Sequence, residues 1–195
     1  MNLFEDKLLD VNHKQDYRII GQLFDTYWLI EFEDSFYMMD QHAAHEKILY
    51  ERLMKQFHEK TYHSQMIMPP VILTLSLREE QILKENWKTF TALGYEIEEF
   101  GGKEYKVTGL PAELPTVIDC KQLLIELIDT IADESATHDP ERITEKVASM
   151  SCKAAVKGNN RLSFKEAEEL MRELMEAENP YNCPHGRPTL IKMTK

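Results

Sequence analysis

Phe36-Tyr37-Met38-Met39-Asp40-Gln41-His42-Ala43-Ala44-His45-Glu46 passes within one residue from an apolar run to a charged helical pattern. The four apolar residues read as a strand, and Asp40 stands where a helix cap is expected. From Gln41 to about Phe57, the apolar residues Ile48, Leu49, Leu53 and Phe57 keep helical spacing. Four residues separate His42 from Glu46, so the two share a helix face, with Asp40 beside it. A helix N-terminus carries positive partial charge and repels cations unless anionic ligands outweigh it. Two carboxylates around one imidazole are what a divalent-metal site there needs. The same residues also fit a plainer reading, with Asp40 as a cap and His42 and Glu46 as a surface pair.

Two later segments carry complementary donors. Cys183-Pro184-His185-Gly186-Arg187-Pro188 offers a thiol and an imidazole in a turn rich in Pro and Gly. Ser151-Cys152-Lys153 offers a second thiol near the end of another predicted helix. The remaining cysteine, Cys120, precedes the apolar run Leu123-Leu124-Ile125 and reads as a small buried hydrophobe. Asp40, Glu46 and the thiolates of Cys152 and Cys183 would bring four negative charges, and His42 and His185 two neutral nitrogens. That set matches two divalent cations. Mixed nitrogen, sulfur and oxygen donors suit zinc first, and the carboxylate-rich positions could admit manganese or magnesium.

Asp40-Gln41-His42-Ala43, then Glu46, then Glu51, resembles the endonuclease motif of the MutL family of mismatch repair proteins. Ser151-Cys152-Lys153 resembles that family's small-residue, cysteine, basic-residue motif, and Cys183 to Pro188 matches its Cys-Pro-His-Gly-Arg-Pro motif. The three stand in family order across roughly Tyr17 to Lys192. The resemblance implies the C-terminal dimerisation and endonuclease region of a bacterial member that nicks DNA itself, with the family's ATPase region upstream. It implies a homodimer, and it implies DNA and the mismatch-recognition protein MutS as partners.

Composition agrees with a cytoplasmic globular chain. Its 195 residues are 43% hydrophobic, enough for a substantial core. No apolar run approaches the roughly 18 residues of a membrane span, so no membrane partner is expected. The start, Met1-Asn2-Leu3-Phe4-Glu5-Asp6, lacks a basic-then-apolar signal peptide. Three scattered cysteines argue for a reducing compartment. There is neither a Gly-rich phosphate loop nor an internal repeat. The net charge of −11 opposes nonspecific duplex binding, so DNA affinity is expected to be weak. Lys153, Lys157 and Arg161 cluster around Gly158-Asn159-Asn160, and Arg187 lies in the Cys-Pro-His turn. These cations could hold a phosphate backbone or be ordinary solvated charges.

Along the chain, residues 1–14 are polar. Tyr17–Phe24 and Thr26–Phe32 read as strands before the third at Phe36. A connector follows the long helix, then an apolar segment from Met66 to Leu75 broken by Pro69-Pro70. Ser76-Leu77-Arg78-Glu79 is a capping box opening a helix to about Ala92. Tyr95–Phe100 and Lys103–Thr108 flank Gly101-Gly102 as a hairpin. Helices are expected near 120–132, 140–156 and 164–177, with start signals at Asp139-Pro140 and Ser163, and Pro188–Met193 as a closing strand. The class is α/β (α+β). The candidate ligands come from both ends of the chain. The expected organisation is therefore a dimerisation subdomain from 1–64 and 147–195 carrying the metal site, with an external regulatory subdomain at 70–146. Trp28, Phe32, Phe36 and Tyr37 could supply an apolar dimer face or ordinary core.

The connector, 59–69, leads into Gln65-Met66-Ile67-Met68-Pro69-Pro70, which resembles the short motif by which bacterial proteins dock onto the replication sliding clamp. Ile67 and Met68 would enter an apolar pocket, Gln65 would bond its rim, and Pro69 and Pro70 would limit strand pairing. An inter-subdomain strand explains the segment equally well. The expected chemistry is metal-dependent phosphodiester hydrolysis leaving a nick. Asp40 would hold the catalytic metal, and His42, Glu46, Cys152, Cys183 and His185 would share a structural or regulatory zinc. Lys153 and Arg187 would orient the phosphate, and Glu51 would make a supporting contact behind the ligands. A non-catalytic module stapled by zinc for dimerisation and recruitment is the main rival, and a small-molecule zinc hydrolase is a third reading.

Overall fold

The computed structural model describes residues 17–115, 119–134, 140–156 and 161–194. The polar residues 1–14, the start signal at Asp139 and the Lys157-Gly158-Asn159-Asn160 stretch lie outside them. The backbone groups into two compact units, Met1–Glu51 with Val156–Lys195, and Arg52–Ala155. Helices combine with two antiparallel sheets, an α+β fold.

In the first unit, β1 (Arg18–Leu23), β2 (Tyr27–Phe32), β3 (Ser35–Asp40) and β7 (Leu190–Thr194) form one sheet in the order β1-β2-β3-β7. Side chains alternate across it. Trp28, Ile30, Phe32, Tyr37 and Met39 point to one face and are all at most 2% exposed. They pack with Ile48 of α1 (Gln41–Glu59) and with Ala167, Leu170, Met171, Leu174 and Met175 of α6 (Phe164–Glu176). The heptad-like spacing of those α6 residues gives one apolar stripe against the sheet. A full capping box starts α6, Ser163 accepting from the Glu166 amide and the Glu166 carboxylate accepting from the Ser163 amide. Trp28, Phe32 and Tyr37 are therefore core, and of the four aromatic candidates for an external face only Phe36 is exposed.

β1 and β2 are joined by a tight turn in which Phe24 and Asp25 both have φ of 53°. Three residues, Phe24 to Thr26, separate the paired ends Leu23 and Tyr27, and the left-handed pair is made here without glycine. The Thr26 amide closes it on the Leu23 carbonyl at 3.1 Å.

The second unit contains the sheet β4-β6-β5, with β4 (Ser64–Thr74), β5 (Glu96–Gly101) and β6 (Glu104–Pro111). The expected break at Pro69-Pro70 is instead a bulge. β4 runs through both prolines, with a cis Met68–Pro69 bond, and its register on β6 shifts between Met66 and Val71. Proline lacks a ladder donor, so the strand bows without ending. The single helix expected from 76 to 92 is two, α2 (Leu77–Glu85) and α3 (Trp87–Ala92). Asn86 divides them, its side chain donating to the Ile82 carbonyl at 2.9 Å and competing with the helical ladder. α4 (Cys120–Glu134) and α5 (Pro140–Val156) complete the unit. Tyr95 is fully buried and bonds Ser151 at 2.6 Å, while Ser151 returns a bond to the Val147 carbonyl. No buried side-chain nitrogen or oxygen among the described residues lacks a partner.

Candidate metal centre

The start of α1 is fixed from three directions. Asp40 Oδ1 accepts from the Ala43 amide at 3.1 Å, an N-cap bond. The Asp40 amide bonds the Thr189 carbonyl at 2.9 Å, and the Gln41 amide bonds the Thr26 carbonyl at 3.0 Å. Gln41 itself is buried, and its Oε1 accepts from Trp28 Nε1 and Gln22 Nε2, each at 3.1 Å. These bonds hold the helix to the sheet, so that Glu46 faces inward at 2% exposure.

The segment 181–189 is brought alongside by the same strand end. Thr189, fully buried, donates its amide to the Tyr181 carbonyl at 2.9 Å and its hydroxyl to the Pro180 carbonyl. An isolated bridge pairs Asn182 with Pro188, so the regular strand β7 starts at Leu190, two residues later than the sequence suggests. Between the bridge partners the Cys-Pro-His-Gly-Arg loop closes on itself. Cys183 N donates to Arg187 O at 2.8 Å and Gly186 N donates to Cys183 O at 2.9 Å. Gly186 has φ of 79°, a conformation other residues adopt only with strain.

A carboxylate oxygen of Glu46, the Cys183 sulfur and a ring nitrogen of His185 consequently all lie within 4.8 Å of one another. His185 Nδ1 is 3.2 Å from Glu46 Oε2. Arg187 Nη2 donates to Glu46 Oε1 at 2.6 Å. That bond raises the Arg187 pKa above its ordinary value, against the opposing effect of partial burial. The donor set fits a tetrahedral zinc ion. With metal–ligand distances of about 2.0 to 2.3 Å, ligand atoms stand about 3.5 Å apart, a small contraction of the present spacing. Glu46, Cys183 and His185 would hold such an ion as three protein donors, one fewer than a closed four-ligand structural site.

The other candidate residues divide between neighbouring and separate positions. Asp40 and His42 stand side by side at the helix start, Oδ1 to Nδ1 3.8 Å, both partly exposed. Neither is a member of the close trio. Glu51 pairs with Lys47 Nζ at 2.8 Å and accepts from the amides of Glu178 and Asn179 at 2.9 and 3.3 Å. Burial pushes its carboxyl up, yet the Lys47 and backbone bonds outweigh that and hold it below its ordinary value. Cys152 belongs to the second unit, where it is fully buried and lies near enough to Tyr95 to influence the phenol. Lys153 is exposed. Cys120 is 5% exposed, and burial lifts its thiol to about 11. Gln65 donates its amide to the Pro111 and Leu114 carbonyls, while Met66 and Met68 are 76% and 79% exposed. Neither of the two described grooves is lined by Glu46, Cys183 or His185.

A family model described as the MutL C terminal dimerisation domain matches residues 20–162. The chain belongs to this family. It is 50% identical over 192 residues to the DNA mismatch repair protein MutL of Agathobacter rectalis, covering 98% of this chain and 30% of that protein. It is 38% identical over 190 residues to the MutL of Caldanaerobacter subterraneus subsp. tengcongensis, covering 97% and 32%, and 37% identical over 177 residues to that of Clostridium perfringens, covering 91% and 26%. The chain spans about a third or less of the length of these curated relatives.

Within this MutL-family chain, sequence reasoning missed Gln41, Lys47 and Thr189, all buried polar residues that position the helix or the loop. Gln41 stands inside the quoted motif, but its partners Trp28 and Gln22 lie on strands that no local pattern places beside it. It also missed the direct partnership of Arg187 with Glu46, for which the only signal was one cation beside two ligand types.

Proposed function

We propose that this chain is the nicking endonuclease and dimerisation region of a bacterial mismatch repair protein. The observation that carries the reading is the meeting of Glu46, Cys183 and His185, residues from opposite ends of the chain. Glu46, Cys183 and His185 hold a zinc ion in this reading, and Asp40 with His42 offers an oxygen and a nitrogen to a second cation, manganese or magnesium, at the start of α1. Bound metal supplies an activated water and neutralises charge developing on the phosphate. Arg187 orients Glu46 and presents the exposed part of its guanidinium to the phosphate backbone. Cys152 is fully buried within the second unit and is given no ligand role in this reading.

The same chain forms a homodimer through the outer face of its first sheet. Phe36 lies directly opposite Met193 on β7, and Met38 opposite Ile191. Ile20, Phe36, Ile191 and Met193 are 38% to 51% exposed. An apolar strip of this kind on a sheet face marks an association surface. The acidic chain, with a net charge of −11, needs recruitment to DNA. The sliding clamp, engaging the exposed Met66 and Met68 of the Gln65–Pro70 segment, provides it by effective concentration, as does MutS acting on the whole protein.

A second reading keeps the zinc and the dimer but no catalysis. It is favoured by the absence of Asp40 and His42 from the close trio of donors. Nicking of supercoiled plasmid with manganese, in the chain and its Asp40→Asn variant, separates the two. Asparagine caps a helix as well as aspartate, so the variant keeps its fold to within about 0.5 kcal/mol while losing nicking. Equal nicking by both proteins removes Asp40 from the mechanism.

A further inference from the structure

Two of the three clustered donors, Glu46 and Cys183, bind a metal as anions, and one cation attends them both. Arg187 Nη2 donates to Glu46 Oε1 at 2.6 Å, and the Cys183 side chain acts on the same guanidinium by hydrogen bonding and by charge. Glu46 and Cys183 are 2% and 4% exposed, so water screens little of what passes between these groups. His185 Nδ1 lies against the other Glu46 oxygen at 3.2 Å. The loop imposes this arrangement, because the Cys183 amide bonds the Arg187 carbonyl at 2.8 Å. Thiol and guanidinium therefore approach Glu46 together.

A group placed behind a metal ligand ordinarily strengthens binding by making that ligand more basic, as a carboxylate does behind a histidine. A guanidinium does the reverse. It is always charged, it draws electron density from the carboxylate it grips, and at this range it repels a dication on the same carboxylate. It has one favourable effect, since it makes an ionised Glu46 tolerable at 2% exposure without a metal. The bond that supports the carboxylate thus opposes zinc. The Arg187 side chain is 48% exposed, so water can receive the guanidinium once it lets go.

We propose that Arg187 is a built-in counter-cation of the metal centre, which holds Glu46 until zinc displaces it, so that it weakens zinc binding and is set free by it. The proposal rests on the reading of Glu46, Cys183 and His185 as a zinc site. Loading and release are then linked. An anion that takes the freed guanidinium, a phosphodiester in the nuclease reading, tightens zinc by the same factor by which zinc tightens the anion. Charge carries the effect, so an uncharged residue of similar reach should favour zinc more than arginine does.

The test is the zinc affinity of the full chain at pH 7.5, by competition with a fluorescent chelator, together with the rate at which loaded protein gives up zinc to excess EDTA. Arg187→Gln keeps an N–H donor for Glu46 and removes the charge. It should bind zinc about tenfold more tightly and release it more slowly. Arg187→Lys keeps the charge and should stay near the parent. The EDTA rate starts from loaded, folded protein, so it decides the matter even where Arg187→Gln is unstable without zinc. In the parent, phenylglyoxal should modify Arg187 several-fold faster with zinc than with EDTA, read by peptide mass spectrometry. Arg161, exposed and paired with Asp25 at 3.0 Å, should react alike in both. Unchanged or weaker zinc binding by Arg187→Gln overturns the proposal, as does equal tightening by Arg187→Lys or protection of Arg187 by zinc. A parent that binds no zinc sinks the metal reading itself, whereas a parent that binds it, with glutamine no better than arginine, sinks the counter-cation alone.

Discussion

Glu46 and Arg187, 141 positions apart, meet at 2.6 Å with the carboxylate 3% exposed and the guanidinium 48% exposed. A carboxylate that deep is stable as an anion only while its oxygens are occupied. His185 takes one oxygen and Arg187 the other. Arg187→Ala should therefore destabilise the chain by about 1 to 3 kcal/mol, less than for a fully buried pair because the arginine is half in water. Urea unfolding of the metal-free protein measures this. In Glu46→Gln, which has no buried charge to strand, the same arginine substitution should cost much less.

Zinc content distinguishes Cys183 from Cys120. Cys183→Ala should reduce bound zinc from about one per chain to a small fraction of that, read by plasma mass spectrometry after gel filtration. Cys120→Ala should keep it, since Cys120 is buried with its thiol raised to about 11. The same raised thiol should make Cys120 slow toward iodoacetamide at pH 8 in the native protein, and ordinary in urea.

Glu51 gives an acid-side signature. Its folded carboxyl lies below the ordinary value of 4.5, so the stabilisation it adds is present above about pH 4.5 and is lost as pH falls through its lowered folded value. Glu51→Gln should flatten that part of the stability–pH curve while costing about 1 to 2 kcal/mol at pH 7, from the lost ion pair and the weakened bonds to the Glu178 and Asn179 amides. A variant whose curve keeps the parent slope between pH 3 and 5 would show that other carboxylates carry the effect.

Charge placed in the outer sheet strip should separate the copies. Phe36→Lys faces Met193 across the ladder and lies outside the buried core, Phe36 being 38% exposed. Sedimentation velocity should show the parent as a dimer and the variant as a monomer that still unfolds cooperatively, its midpoint no longer rising with protein concentration. A variant that sediments as the parent does removes this strip from the interface.

How far the sequence could be read depended on the range of the physics involved. Period-two and helical patterns located most of the described strands and helices, because each rests on neighbours a few residues away, but they gave one helix where α2 and α3 stand and a broken segment where β4 runs through. The capping boxes at Ser76 and Ser163 are visible in the structure for the same reason. The Asn86 break was hidden because an asparagine inside a helix either bonds backward or faces solvent, and only packing decides. In the site, Glu46, Cys183 and His185 were legible as donors by chemical type. That Asp40 and His42 stand outside the close trio was not, since helix spacing alone cannot say which turn meets the returning loop. Gln41 escaped for a different reason, its role being set by Trp28 and Gln22 on strands that composition cannot place beside it.

The loop bearing Cys183 and His185 is closed by its own backbone, Cys183 to Arg187 and Gly186 to Cys183, with Gly186 at a positive φ. A segment ordered in this way before any ion arrives gives up little freedom on coordination. Loading and stripping of the centre should then resemble exchange at a standing scaffold, with unfolding midpoints moving only as mass action requires. A cell could vary the ion without having to refold the protein.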